Sequence, residues 1–193
     1  MATEAIAEAV AALRAGAVVC IPTETSYGLA VNPFSSAALA RLCAVKGRPE
    51  NAPFALIAAD VGQVDALVQA WPDGARGLAE RHWPGPLTLV LPARPDLAPE
   101  IVGSGGGVGV RVSSHPQAAA LARAFGQPIT ATSANPSGAP AATSVERARS
   151  YFGDQVAVYL DGGPSSGERP STVLAIAADG SRTVLRAGPV DVS

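Results

Sequence analysis

Four short segments of this chain place polar side chains among apolar neighbours, and each has the chemistry to hold an anion or a small polar molecule. Pro22-Thr-Glu-Thr-Ser-Tyr-Gly28 follows the apolar run Ala17–Ile21. Loops just past strand ends are where α/β sheets take ligands, and Thr23, Thr25 and Ser26 offer three hydroxyls there. The same hydroxyls could instead close a hydrogen-bonded turn. In Lys46-Gly-Arg48-Pro49 two cations stand two residues apart at a helix end. They suit a phosphate clamp, the lysine as a point charge and the arginine as a fork, and they equally suit the negative end of the helix macrodipole. Thr132-Ser133-Ala-Asn135 with Pro-Ser-Gly138 groups small hydroxyls, an amide and a glycine, a set that cradles a nucleotide or makes a polar turn. Finally, Arg111 interrupts Val108-Gly-Val-Arg-Val112, and Arg186 stands in Leu185-Arg-Ala-Gly. An arginine in an apolar strand is costly to bury unless it meets an anion, either a ligand or a structural carboxylate.

Other patterns lead nowhere. Gly163-Pro-Ser165-Ser-Gly167 fits G-x-S-x-G, but no helix follows the serine, and both histidines, His82 and His115, precede it. The Gly103–Gly109 loop lacks the lysine of a P-loop and the spacing of a dinucleotide fingerprint, so it reads as a connection or as backbone that approaches a ligand closely. Cys20 and Cys43 lack metal or disulfide spacing and read as buried thiols, and the two histidines read as structural. With no cysteine nucleophile, metal cluster or clear histidine base, the chemistry that remains is positioning and charge neutralisation, the style of nucleotidyl and phosphoryl transfer.

The elements that must carry these groups follow from periodicity. Helices are predicted over Thr3–Ala15, Ser36–Val45, Val61–Ala70, Gly74–His82 and His115–Phe125. A further helix starts at a capping box, Thr143-Ser-Val-Glu146, and runs to Phe152. Strands are predicted at Ala17–Ile21, Tyr27–Val31, Phe54–Ala58, Leu87–Leu91, Val108–Val112, Gln127–Ala131, Val156–Leu160, Ser171–Ile176 and Arg182–Arg186. Strands and helices interleave without a steady βαβ rhythm, which points to a single α/β domain over residues 1–193 with a mixed sheet.

The 193 residues are 48% hydrophobic and 16% charged, which excludes a disordered chain. Net charge is -2 and the pI about 5.6, so a protein that grips nucleic acid by bulk charge is disfavoured while a local basic pocket is not. The basic set is 13 arginines and one lysine, Lys46. The stretch Met1–Gly16 is not expected to act as a secretory signal, no run of apolar residues is long enough to span a membrane, and the expected location is the cytoplasm.

Taken in order, these segments resemble the YrdC family of threonylcarbamoyl-AMP synthases. The matching residues are Pro22-Thr-Glu-Thr25 with Tyr27-Gly-Leu29, Lys46-Gly-Arg48-Pro49, Trp83-Pro-Gly-Pro-Leu-Thr88, Val110-Arg-Val112 with His115-Pro116, Ser133-Ala-Asn135 with Ser137-Gly138, Ser171-Thr-Val173 and Arg186-Ala-Gly188. They span about residues 10–190. The resemblance implies a twisted mixed sheet with flanking helices around a basic cleft. It implies that L-threonine, bicarbonate (or CO₂) and ATP, with Mg²⁺, give threonylcarbamoyl-AMP and pyrophosphate. The product would pass to a separate tRNA threonylcarbamoyl transferase, and contact with tRNA itself is open.

Residue by residue, the resemblance implies that Lys46, Arg48, Ser133 and Asn135 form a catalytic tetrad. Thr23, Arg111, Ala131 and Thr172 would hold threonine, with Arg111 on its carboxylate. Lys46, Arg48, Ser133 and Arg186 would meet the nucleotide, and Asn135 the Mg²⁺. The chain departs from the pattern at Ile57, where longer members have a histidine, at Ala52 after Asn51, and at Ala141. Two other readings stand beside this one: an RNA-binding or ribosome-maturation module using the same cleft, and a related carbamoyl-adenylate enzyme with another substrate.

Overall fold

The computed structural model of the chain describes residues 2–47, 53–166 and 169–192. Arg48, Asn51, Ala52 and Gly167 therefore lie outside the described residues. The helices are α1 (Ala2–Arg14), α2 (Ser36–Lys46), α3 (Val61–Asp65), α4 (Ala75–His82), α5 (Pro116–Phe125) and α6 (Val145–Phe152). The strands are β1 (Val19–Pro22), β2 (Tyr27–Ala30), β3 (Ala55–Ala58), β4 (Leu87–Pro92), β5 (Gly107–Val112), β6 (Ile129–Ser133), β7 (Val158–Tyr159), β8 (Thr172–Ile176) and β9 (Arg182–Arg186). Every predicted element is present. Several differ in detail: β6 runs two residues later than predicted, β7 keeps only Val158–Tyr159, and two helices change at their ends. α3 is shorter than predicted, its Asp60 cap accepting from Gln63 N and its end reached at Asp65. α6 is capped by Ser144, which accepts from Arg147 N, so the Thr143–Glu146 capping box does not form.

Local chemistry explains the ends of the helices that matter for the site. Ser35 accepts from Ala38 N at the start of α2, and Gly47 takes the left-handed conformation (φ 58°) that ends it after Lys46. α5 starts on Pro116, with His115 Nδ1 accepting from Gln117 N, and stops at left-handed Gly126.

The strands form one mixed sheet in the order β7-β1-β2-β6-β3-β5-β4-β8-β9. β1/β7, β3/β5 and β4/β8 are parallel and the remaining pairs antiparallel. Alternation along the strands sends side chains to two cores. Cys20, Leu29, Leu56, Leu89, Val110 and Leu174 pack with residues of α2, α4 and α6. Val19, Ile21, Ile57 and Ile129 pack with α1 and α5. α1 and α5 cover only part of their face. Beyond them, that face is built from Ala55, Thr88, Gly109 and Ala131, side chains too small to form a core, and the surface there is concave. The cysteines are buried free thiols, and burial pushes the Cys20 pKa up to about 12. No helix among the described residues is long and apolar enough to cross a membrane.

Candidate functional site

The bare part of the sheet is the floor of a cavity of about 1140 Å³. Its walls are the Thr23–Gly28 turn, the Gly103–Gly107 loop, Ser133, and the Arg169–Ser171 segment with Arg186. The glycine-rich loop is thus part of the site, not a remote connection. Gly107 has a physical reason to lack a side chain, since a Cβ there would drive into Val90 Cγ1 at 2.6 Å. Among the described residues, the charged side chains lining the cavity are all arginines: Arg111, Arg169 and Arg186.

Arg111 sits on β5 with its backbone paired to Ile57 of β3, and it is 7% exposed. Its Nη1 lies 3.5 Å from Glu24 Oε1, while Nε is buried with no hydrogen-bond partner. Glu24 Oε1 likewise accepts no hydrogen bond, and Oε2 accepts from Ser113 Oγ. Desolvating a guanidinium costs several kcal/mol even after relaxation, and one carboxylate at this distance offsets only part of it. An anion in the cavity would supply what is missing. Burial lowers the Arg111 pKa, with the Glu24 charge opposing, yet an arginine stays charged in either case.

Arg186 donates through Nε to Ser171 O (2.9 Å) and through Nη2 to Ser171 Oγ (2.9 Å). Its pKa is lowered by partial burial and by the positive charge of Arg111. Two arginines therefore raise the potential in one cavity, and among the described residues only Arg111 of the two has a carboxylate within 4 Å. Gly188 makes this placement possible, because a Cβ there would collide with the backbone of Pro170, Ser171 and Thr172. Gly188→Ala is expected to lower stability by about 1–3 kcal/mol, as overpacking does, with little change in the urea m-value. A urea titration giving a wild-type midpoint would show that this approach is not needed.

Four expected contacts are placed differently by the geometry. Thr172 points away from the cavity: its hydroxyl donates to Val190 O (2.9 Å) and accepts from Val190 N (3.0 Å), so it straps down the C-terminal segment. Its neighbour Ser171 lines the cavity instead and shares a hydrogen bond with Thr88 Oγ1 (3.0 Å). Thr23 does line the cavity, but its hydroxyl organises its own turn, donating to Ser26 O (2.6 Å) and accepting from Thr25 N and Ser26 N. Lys46 is 5% exposed, and its ammonium donates to Ser133 O (2.6 Å), Asn135 O (2.7 Å) and Asn135 Oδ1 (3.3 Å). Here the lysine holds the Ser133–Asn135 loop from beneath.

Asn135 completes that scaffold by donating from Nδ2 to Pro136 O and Ala139 O. Asn135 Oδ1 also accepts from the Lys46 ammonium (3.3 Å), so the amide is engaged by the protein in this structure. Ala131 and Ser133 line the cavity from β6, and Ala141 lines it from the segment before α6. Ile57 is buried among the residues of α5. His115 caps α5, in keeping with a structural part.

Three residues were not singled out from the sequence. Ser171 could have been found by carrying the period-2 alternation of β8 two residues back from Val173. Glu24 was visible as the one carboxylate in its segment. Arg169 carries no local signal.

Comparison with known proteins identifies the family. A family model described as telomere recombination (Sua5/YciO/YrdC) matches residues 11–188. The threonylcarbamoyl-AMP synthase of Bacillus subtilis is 42% identical over 175 residues, covering 90% of this chain and 51% of that protein. That of Halorhodospira halophila is 40% identical over 168 residues, covering 87% of this chain and 88% of the relative. The crystal structure of P. abyssi Sua5 complexed with L-threonine superposes with a TM-score of 0.91 at 35% identity, covering 97% of this chain and 55% of that one.

Proposed function

Because the chain belongs to the Sua5/YciO/YrdC family, we propose that it is a threonylcarbamoyl-AMP synthase working in the cavity above β4, β5 and β8. The observation that carries this reading is the buried Arg111 guanidinium, with an unpartnered Nε, at a cavity whose other charged residues are also arginines. That arrangement suits an α-carboxylate beside a polyanion.

The substrates are L-threonine, bicarbonate (or CO₂) and ATP, the last entering as its Mg²⁺ complex. The threonine amine adds to CO₂ with loss of a proton, or to bicarbonate with loss of water, to give a carbamate. A carbamate oxygen then forms the bond to the α-phosphorus, and the bond to pyrophosphate breaks. Arg111 fixes the threonine carboxylate, with the Ala131 backbone, the Thr23 turn and Ser171 around it. Arg186 and Ser133 face the nucleotide, Arg48 joins them at the phosphates, and Lys46 with Asn135 sets the shape of the Ser133 loop. No described residue has to form a covalent intermediate. The protein contributes orientation and fixed positive charge where negative charge is concentrated. The product passes to a tRNA threonylcarbamoyl transferase, and the expected location is the cytoplasm.

Pyrophosphate release with all three substrates tests this, and omitting threonine or bicarbonate is expected to return it to background. A preparation that binds ATP but releases no pyrophosphate in response to threonine would refute the assignment. Tight, steeply salt-dependent RNA binding without ATP binding would favour the RNA-binding module instead.

A further inference from the structure

Glu24 is held more firmly than a solvent-facing counter-ion needs to be. Thr23 Oγ ties the turn on both sides of it, accepting from Thr25 N and donating to Ser26 O. Its own carbonyl accepts from Ser166 Oγ at 3.1 Å. One carboxylate oxygen accepts from Ser113 Oγ, and Ser113 Oγ in turn accepts from His115 N at the start of α5. The other oxygen faces Arg111 Nη1. Glu24 does not line the cavity, whereas Arg111 does. In a guanidinium, engaging Nη1 leaves the fork made by Nε and Nη2 on the opposite edge. In Arg111 the Nε of that fork is the buried atom without a partner.

We propose that Glu24 is a positioning residue for substrate carboxylate recognition, holding Arg111 by Nη1 so that its Nε/Nη2 fork is presented to an incoming α-carboxylate. The proposal rests on the assignment of threonine to this cavity. Two effects of Glu24 oppose each other. Its negative charge weakens Arg111's attraction for a second anion, and its anchoring fixes the angle at which the fork is offered. A bidentate pair depends on that angle, and a buried guanidinium without its counter-ion turns to find another partner, so anchoring prevails.

The test measures calorimetric affinity for L-threonine, and for its carboxamide analogue, in wild type, Glu24→Gln and Glu24→Asp, with ATP affinity alongside. Wild type is expected to prefer threonine over the carboxamide. In Glu24→Gln threonine affinity is expected to fall about tenfold, carboxamide affinity to hold, and ATP affinity to hold. In Glu24→Asp the preference is expected to be partly restored. A Glu24→Gln protein that folds and keeps the full preference overturns the proposal, as does one that binds threonine more tightly, since charge would then outweigh anchoring. Equal losses for threonine and carboxamide would make Glu24 merely structural. If wild type itself binds no threonine, it is the parent assignment that has failed.

Discussion

Arg111→Ala is expected to raise the threonine concentration needed for half-maximal pyrophosphate release about 100-fold or more, with ATP affinity nearly unchanged. The size follows from truncating one member of a buried, charge-assisted pair, about 2–5 kcal/mol, which at ~1.4 kcal/mol per decade reaches that range. The same truncation strands Glu24, already 15% exposed, beside an emptied site. Stability should therefore drop by about 3–5 kcal/mol. Arg111→Lys separates the two effects. It keeps a cation against Glu24 but has no planar fork, so it should regain much of the stability and little of the threonine affinity. Binding measured by calorimetry below the melting temperature of each variant decides. Equal losses for threonine and ATP would show that Arg111 supports the whole cavity and has no specific ligand.

The second large effect belongs to Lys46. Its ammonium is drawn into a nest of three oxygens from Ser133 and Asn135. Lys46→Met keeps the stem and removes every donor, leaving buried acceptors unpaired at about 1–3 kcal/mol each. Destabilisation of about 3 kcal/mol or more by urea titration is expected, together with loss of activity. Lys46→Arg keeps the charge, but a flat guanidinium cannot aim donors at three converging oxygens within the same space. Its activity is expected to fall at least about tenfold, the cost of roughly 1–3 kcal/mol of overpacking transmitted to the Ser133 loop. A Lys46→Met protein of wild-type stability that loses only ATP binding would place the ammonium on the nucleotide instead of on the loop.

Much of the architecture was legible because apolar runs and glycine or proline stops are local signals. The run Leu87–Leu91 becomes β4, Ser36–Val45 becomes α2, and Gly47 and Gly126 end helices as their φ freedom allows. Arg111 was legible for the same reason, as a charge in an apolar strand. What failed was finer than one residue of register. Ser171 and Thr172 are chemically alike, yet alternation sends one into the cavity and the other to Val190. At the α6 cap, Thr143 and Ser144 are again alike, and the backbone selected the second.

Lys46 and Asn135 expose another limit. A polar side chain beside a ligand-binding loop can serve the ligand or the loop. Which it does depends on where carbonyls such as Ser133 O come to lie, some 87 residues along the chain from the lysine. The Glu24–Ser113 contact spans 89 residues and has no local signature at all.

The strand that carries Arg186 has a further consequence. β9 is the outermost strand, exposed along its whole length, hydrogen-bonded to β8 alone and with a register irregularity at Val173/Leu174. The Arg111 side of the cavity, by contrast, stands on strands bonded on both edges. Opening free energies are lowest where backbone hydrogen bonds are exposed and buried contacts are few. The two halves of the cavity therefore live on different clocks. The carboxylate end is a fixed template that exchanges its amide hydrogens only with deep unfolding. The Arg186 end is expected to open at lower cost, so a polyanion binding there would give up part of its hold to quiet a strand that otherwise frays.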